Sequence, residues 1–317
     1  MNGGNFMSYV IGIDGGGTKT EAVLSDETGQ VYARVLAGPS NLNSGSRESI
    51  EGTFLKIFSE IKNQQPELFQ HIDYCFAGLS GTENHVNKEF IEALFKRLVG
   101  GQFPYLIEHD AVNALYSGTF GEPGIVQIAG TGSIGFGIDQ HLNKKRVGGW
   151  GYLIGDEGSG YAIGRDALQV IFQHYDRNQK ETILANLIGK YFEISGDLKD
   201  IVPTIYQAES PRNHISALSK VVFEAFDMGD TDAKSILQRA AKDLSKSIEM
   251  ILEHFPLSNK QVVLVGGLFN RNDVILPMLE HFLNEECELI LPKVEPVIGS
   301  VIAALQQINQ KYIPLQK

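Results

Sequence analysis

Two glycine turns constrain this chain more than any other feature. "VIGIDGGGTKTEAVL" (Val10–Leu24) places three glycines after an aspartate and before Thr-Lys-Thr, and "IAGTGSIGFG" (Ile128–Gly137) repeats the theme later. A P-loop needs G-x-x-x-x-G-K-[ST] ahead of a helix. Gly12 and Gly17 keep that spacing, but Thr18 stands where the lysine belongs. The dinucleotide fingerprint G-x-G-x-x-G fails as well, because Thr20 takes its last glycine position. The residues after the first turn alternate like a strand rather than a helix. Each stretch is therefore strand, glycine turn, strand: a hairpin whose backbone N–H groups can approach phosphate oxygens closely.

The surrounding pattern repeats. Strands are expected near Tyr9–Asp14, Glu21–Ser25 and Val31–Ala37, then a helix over Ser46–Lys62 and a strand at Tyr74–Ala77. A helix over Glu83–Leu98, a strand ending at Asp110 and a short helix closed by Gly118 complete the first half. The second half restarts with "GIVQIAG", "TGSIGFGID" and "KKRVGG" as strands. Helices follow over Glu157–His174, Glu181–Lys190, Leu198–Gln207 and Ser219–His254, with Pro203 and Gly229 as kinks. "QVVLVGGLF" and "CELILP" are strands, and "DVILPMLEHFL" and "PVIGSVIAALQQI" are helices. A βββαβα unit thus occurs twice, an internal structural repeat in an α/β protein. The turn Ser117–Gly124 marks the boundary, giving domains 1–118 and 119–317, the second carrying a helical insertion; the last helix is free to pack back on the first domain.

Composition narrows the function classes. The 317 residues, 43% of them hydrophobic, suffice for two packed domains. A net charge of −11 without a basic block argues against nucleic acid, where phosphate neutralisation supplies most of the affinity. Two distant cysteines, Cys75 and Cys287, make neither a zinc site nor a disulfide scaffold. No signal peptide or membrane span is apparent, so a cytoplasmic location is expected, with residues 1–7 as a loose leader.

The set "IGIDGGGTKTEAVL", "IEHDAVNAL", "IAGTGSIGFG", "GGWGYLIGDEGSGYAIG" and "VVLVGGLF" resembles the N-acetylglucosamine kinase family, in the family's order and over almost the whole chain. That family is grouped with the BadF/BadG ATPases in the sugar kinase/actin/heat-shock ATPase superfamily. The resemblance implies duplicated ribonuclease-H-like (actin-like ATPase) domains with a central ligand cleft. It further implies ATP with Mg²⁺, and transfer of the γ-phosphate to a hydroxyl of a small amino sugar. It leaves room for a homodimer and gives no role to nucleic acid or membrane.

The resemblance also assigns residues. Asp110 is the base that accepts the sugar hydroxyl proton and touches the substrate; by its position alone it could equally be a helix N-cap. Asp14, beside the first hairpin, faces the metal through water, or else forms the turn. Gly16, Gly17 and Thr18 hold phosphate in the first hairpin, and Gly130, Thr131, Gly132 and Ser133 in the second; Lys19 either neutralises phosphate charge or is a solvated hairpin lysine. Gly266 and Gly267 leave room for a flat ligand such as adenine. Asn41 is the substrate asparagine, with Asn43 as helper or as turn chemistry alone. Gly149, Trp150, Gly151 and Asp156 surround the sugar, with Glu157 nearby; Trp150 as core packing and Asp156 as a helix cap are the structural alternatives. His109 carries no assignment.

Two other classes remain open. Some BadF/BadG relatives are ATPases that activate acyl-CoA dehydratases or reductases through an iron–sulfur cluster, which requires cysteine thiolates in exposed loops. Cys75 in a strand and Cys287 ahead of another do not fit that role. A sugar sensor without turnover conflicts with the presence of Asp110 and both hairpins. Among kinases, N-acetylglucosamine is the first choice; glucosamine, N-acetylmuramic acid and glucose remain alternatives.

Overall fold

The computed structural model describes residues 7–308 except 42, 44 and 195. The expected leader lies outside the described residues save Met7. In chain order the strands are β1 (Tyr9–Gly15), β2 (Thr20–Asp26), β3 (Val31–Ala37), β4 (Ile72–Leu79), β5 (Tyr105–Glu108), β6 (Gly124–Ala129), β7 (Ser133–Ile138), β8 (Lys144–Gly148), β9 (Gln261–Val265) and β10 (Glu288–Ile290). The helices are α1 (Arg47–Gln64), α2 (His85–Val99), α3 (Ala111–Thr119), α4 (Gly160–Asp176), α5 (Ile183–Tyr191), α6 (Ile201–Tyr206), α7 (Pro211–Asp227), α8 (Thr231–Leu252), α9 (Asn272–Phe282) and α10 (Pro296–Gln307).

The described residues form two compact units. One runs to Glu122 and takes up the chain again from Pro292; the other is Pro123–Leu291. The division falls four residues beyond the expected 118/119, and α10 lies in the first unit. The two sheets share one plan: order β3-β2-β1-β4-β5 in the first unit and β10-β9-β6-β7-β8 in the second. In each, a hairpin pairs antiparallel (β1 with β2, β6 with β7) and the first strand pairs parallel with the fourth (β1 with β4, β6 with β9). The expected α/β duplication with glycine turns at matched places is what the sheets display.

In the first unit the period-2 pattern of β1 and β2 divides the core. Ile11, Ile13, Ala22 and Leu24 face α1 and α2 and join Phe54, Phe58 and Phe95 in one cluster. The rings of Phe54 and Phe95 meet edge to face at 4.9 Å. On the opposite face Gly12 admits α10, because a side chain there would come within 2.6 Å of Ser300 Oγ and 2.7 Å of the Val301 nitrogen. The same helix crosses α3 at Gly299, where a Cβ would overlap the carbonyl of Asn113. In the second unit the stretch between β8 and β9 contributes α4–α8, and α8 lays Leu237, Leu244 and Ile248 into a core shared with Ile125, Val262 and Leu264.

Several boundaries differ from the sequence reading, each for a local reason. The single helix expected over Ser219–His254 is two: α7 starts at Pro211, a residue suited to a first helical turn. The break comes at Gly229 (φ +85°), after which Asp230 caps α8 by accepting the N–H groups of Asp232 and Ala233. The helix α4 starts at Gly160 rather than Glu157, because Ser159 takes the capping place. The strand β5 stops at Glu108, two residues before Asp110. The helix α3 passes Gly118 and closes at Phe120 in the left-handed region (φ 55°). Leu198–Gln207 divides into a 3₁₀ turn, Leu198–Asp200, and α6.

The glycine contacts predict opposite outcomes for two substitutions. Gly299→Ala forces a methyl into backbone that cannot yield, so stability falls by about 1–3 kcal/mol. Gly52→Ala, exposed in α1 with open space around it, gains roughly 0.4–1 kcal/mol. Urea unfolding of the two variants checks both signs.

Candidate active site

The first hairpin turns through Gly16–Lys19, closed by a hydrogen bond from the Gly16 N–H to the Lys19 carbonyl at 3.0 Å. Gly17, Thr18 and Lys19 stand exposed at its tip. Its base is pinned from two sides: Ser40 donates its N–H to the Gly16 carbonyl at 3.1 Å and Ser80 to the Gly15 carbonyl at 2.9 Å. Lys19 Nζ lies 3.3 Å from Glu21 while its side chain remains 62% exposed, so this lysine retains reach toward an anion.

Asp14 sits at the strand end beside this hairpin. Its Oδ1 accepts from Asn113 Nδ2 at 2.8 Å, and the same Nδ2 lies 3.1 Å from the Gly78 carbonyl. Asn113 is wholly buried on α3, and its Oδ1 has no partner. Burial pushes the Asp14 carboxyl up to about 6; the Asn113 hydrogen bond opposes the shift and the Asp110 charge adds to it. Such a carboxylate gains from a cation. Among the described residues no group of three or more His, Cys, Asp or Glu side chains could hold a metal alone. Mg²⁺ does not need one, since it keeps several waters and binds through one or two carboxylates plus phosphate oxygens. Asp14, a desolvated carboxylate beside an exposed hairpin, suits that hard, partly hydrated ion.

Asp110 precedes α3 with helical backbone angles and makes no side-chain cap bond. The cap reading therefore does not account for it. Asn41 donates from Nδ2 to Ser80 Oγ at 3.0 Å and accepts the Asn43 N–H on Oδ1 at 2.8 Å. Asn43 Oδ1 in turn accepts from Asn87 Nδ2 at 3.2 Å. These amides brace the loop after β3 against the end of β4.

In the second unit the hairpin is one residue shorter, closed from the Gly130 N–H to the Gly132 carbonyl at 2.9 Å. The first N–H groups of α4 donate to it: Gly160 to the Gly130 carbonyl at 2.8 Å and Tyr161 to the Thr131 carbonyl at 3.3 Å. Ser133 Oγ donates to the Glu157 carbonyl at 2.6 Å. Beside the hairpin opens a cavity of about 740 Å³, lined by Gly130, Thr131 and Gly267 and, among others, by Lys220, Phe223 and Asn270. Arg271 forks onto Asp227 at 2.9 and 3.0 Å and covers the Phe223 ring at 5.1 Å. The two glycines after β9 have different reasons. A side chain on Gly266 (φ +115°) would strike the Ala129 backbone, whereas one on Gly267 would enter open cavity.

The stretch 149–156 is the third group. Gly149 and Gly151 take positive φ, and Trp150 is 64% exposed with the Arg146 guanidinium 3.9 Å over its ring. Trp150 is therefore not core. Asp156 is 4% exposed, accepts the Gly151 N–H at 3.2 Å and lies 3.7 Å from Arg212 Nη2. Burial raises its carboxyl above the usual range, and the Gly151 bond and Arg212 oppose that shift. With Ser159 capping α4, neither Asp156 nor Glu157 is the cap.

Sequence reasoning named the glycines of the cavity and missed its α7 wall. Asn213, Ser216, Lys220, Phe223 and Asp227 recur at helical spacing and line one side. The signal was there as a polar stripe, but the helix had been started at Ser219. Asn113 was missed because its role depends on two strand ends far away in sequence.

Residues 11–304 match the model of the BadF/BadG/BcrA/BcrD ATPase family. The chain is 33% identical over 308 residues to an N-acetylmuramic acid/N-acetylglucosamine kinase of Clostridium acetobutylicum, covering 96% of this chain and 100% of the relative. It is 30% identical to an N-acetyl-D-glucosamine kinase of Dictyostelium discoideum, covering 93% and 97%. A solved structure from Chromobacterium violaceum, provisionally assigned as an N-acetylglucosamine kinase, superposes with a TM-score of 0.69 at 24% identity over 93% of this chain and 98% of that one. The fold is that of the sugar kinases.

The Asp14 environment sets a pH-dependent prediction. A carboxyl whose folded value is about 6 against an ordinary 3.8 favours folding below 3.8 and loses that contribution as pH rises through 6. Asp14→Asn keeps the acceptor for Asn113 and removes the buried charge. It stabilises the ligand-free protein by about 1–3 kcal/mol at pH 7.5 and by nothing near pH 3.5. Calorimetry at the two pH values checks the difference.

Proposed function

The chain belongs to the BadF/BadG/BcrA/BcrD ATPase family, and from that premise we propose that it phosphorylates an amino sugar with ATP, N-acetylglucosamine first among the candidates. The enzyme is an ATP-dependent sugar kinase. The observation that carries the nucleotide side is the 740 Å³ cavity that joins Gly130 and Thr131 of the second hairpin to Gly267 after β9. A cavity of that size suits a nucleoside, with the hairpin glycines at its phosphate end.

Each unit supplies a separate part of the chemistry. The exposed tip Gly16–Lys19 and the hairpin Gly130–Ser133 hold phosphate oxygens. Asp110 takes the proton of the sugar hydroxyl as that oxygen bonds to the γ-phosphorus, and the bond to the β–γ bridging oxygen breaks to release ADP. Asp14 would hold a hydrated Mg²⁺ accompanying ATP, which would offset phosphate charge. Asn41, Gly149, Trp150, Gly151 and Asp156 bind the sugar; the partly exposed Trp150 ring supplies an apolar wall. The cytoplasmic location belongs to the same proposal and rests on the lack of a recognisable signal peptide or membrane span in the sequence; the family resemblance leaves room for a homodimer.

The relatives' names favour an N-acetylated sugar; N-acetylmuramic acid, glucosamine and glucose are the competing acceptors. The electron-transfer reading draws no support from the cysteines. Cys75 is wholly buried in β4, and desolvation pushes its thiol far up, away from the thiolate a cluster needs. A panel of the four sugars, followed by ADP release and product NMR, selects among them; no turnover on any sugar overturns the proposal.

Two variants test the assigned roles. Asp110→Asn removes the base and lowers kcat by about 10²–10⁴-fold with sugar binding retained, as stopped assays and calorimetric titration report. Gly267→Leu fits the backbone, because a Cβ there meets no atom, yet its side chain fills the cavity. Its KM for ATP rises by roughly tenfold or more while the sugar KM stays within twofold.

A further inference from the structure

His109 stands between two carboxylates. Its Nε2 lies 2.6 Å from Glu83 Oε1 and its Nδ1 lies 2.9 Å from Asp110 Oδ1. The ring is 12% exposed, while Glu83, in the turn after β4, is 38% exposed. A chain of three ionisable groups thus runs from the surface to the carboxylate assigned as base. The Ala111 N–H also points at Nδ1, at 3.0 Å. That nitrogen cannot accept this proton and donate one to Asp110 together. Two carboxylate oxygens outweigh one amide dipole, so the ring carries both protons. Burial alone disfavours that charge; the bonds to Asp110 and Glu83 override it and push the ring up to about 9.

We propose that His109, backed by Glu83, is the positioning residue of the base: it holds Asp110 through Oδ1 and leaves Oδ2 for the acceptor hydroxyl. The proposal rests on the reading of Asp110 as the base. The charged groups around the pair are Glu83 from the turn after β4 and, toward Asp110, Asp14 at the end of β1. Asp14 opposes a second negative charge beside it; the imidazolium, in direct contact with Asp110, offsets this, and Lys19 acts on Asp14 in the same sense. Loss of that cation makes a carboxylate easier to protonate. The competing role is local: His109 Nδ1 could serve only as acceptor for the first N–H of α3.

His109→Asn separates the two roles, because an Asn side chain also accepts N–H groups at a helix start but carries no charge. The expected result is a 10- to 100-fold lower kcat/KM near pH 7 and an acid limb of the kcat/KM profile moved up by about one pH unit. The KM for ATP stays within twofold. Glu83→Gln, at a partly exposed position, gives a smaller loss and moves the alkaline limb to lower pH than in the wild type, since the ring then loses its proton earlier. A wild-type pH profile in His109→Asn with a lower Tm makes His109 a helix cap and overturns the inference. If His109→Asn does not fold, the Glu83→Gln profile decides alone, and an unshifted one overturns it too. Retained turnover in Asp110→Asn would instead sink the reading of the base beneath it.

Discussion

One buried amide holds the first site together. Asn113 on α3 reaches the carboxylate of Asp14 at the end of β1 and the carbonyl of Gly78 at the end of β4. These adjacent parallel strands end level with each other, in the register that pairs Asp14 with Gly78. The side chain can reach both only because Gly78 has no Cβ; one there would overlap the Asn113 amide. The amide thus fixes the start of α3 against the strand ends, and with it Asp110, three residues earlier.

That arrangement stores charge where water is scarce. Asp14 is desolvated and lies within electrostatic reach of Asp110, so its carboxyl is raised toward neutrality. Folding alone gains nothing from two nearby carboxylates; a bound cation does. A strongly perturbed carboxyl such as Asp14 beside an exposed glycine hairpin is the kind of feature that functional sites retain against stability. The second unit uses different means. Its hairpin is locked by the first N–H groups of α4, and a cavity lined largely by polar residues opens beside it. Shared sheet topology therefore carries two unlike sites, one centred on a desolvated carboxylate and one on an open cavity.

Local chemistry was legible wherever a residue's role depends on its neighbours in sequence. The strands of both hairpins, the helix over Arg47–Gln64 and the turn glycines follow from period and punctuation. Boundaries failed where a cap competed with propensity. Ser159 took the start of α4 from Glu157, and the Gly229–Asp230 pair made two helices of one, since Asp230 satisfies two N–H groups that a continuous helix would have bonded internally. The helix α10 could not be placed by sequence alone, because what draws it onto β1 is the bare surface of Gly12 almost three hundred residues earlier.

The sequence by itself determined the duplicated α/β plan, the glycine hairpins and the identities of Asp14, Asp110 and Asp156, because period, turn chemistry and motif order are properties of short windows. Only the tertiary structure decided what those carboxylates experience. Burial and Asn113 act on Asp14; burial, the Gly151 N–H and Arg212 act on Asp156; and Glu83 sits across His109 from Asp110. The α7 wall of the cavity was decided in the same way. Charge and desolvation are summed over neighbours in space, and the chain brings those neighbours together only when its sheets and helices close around them.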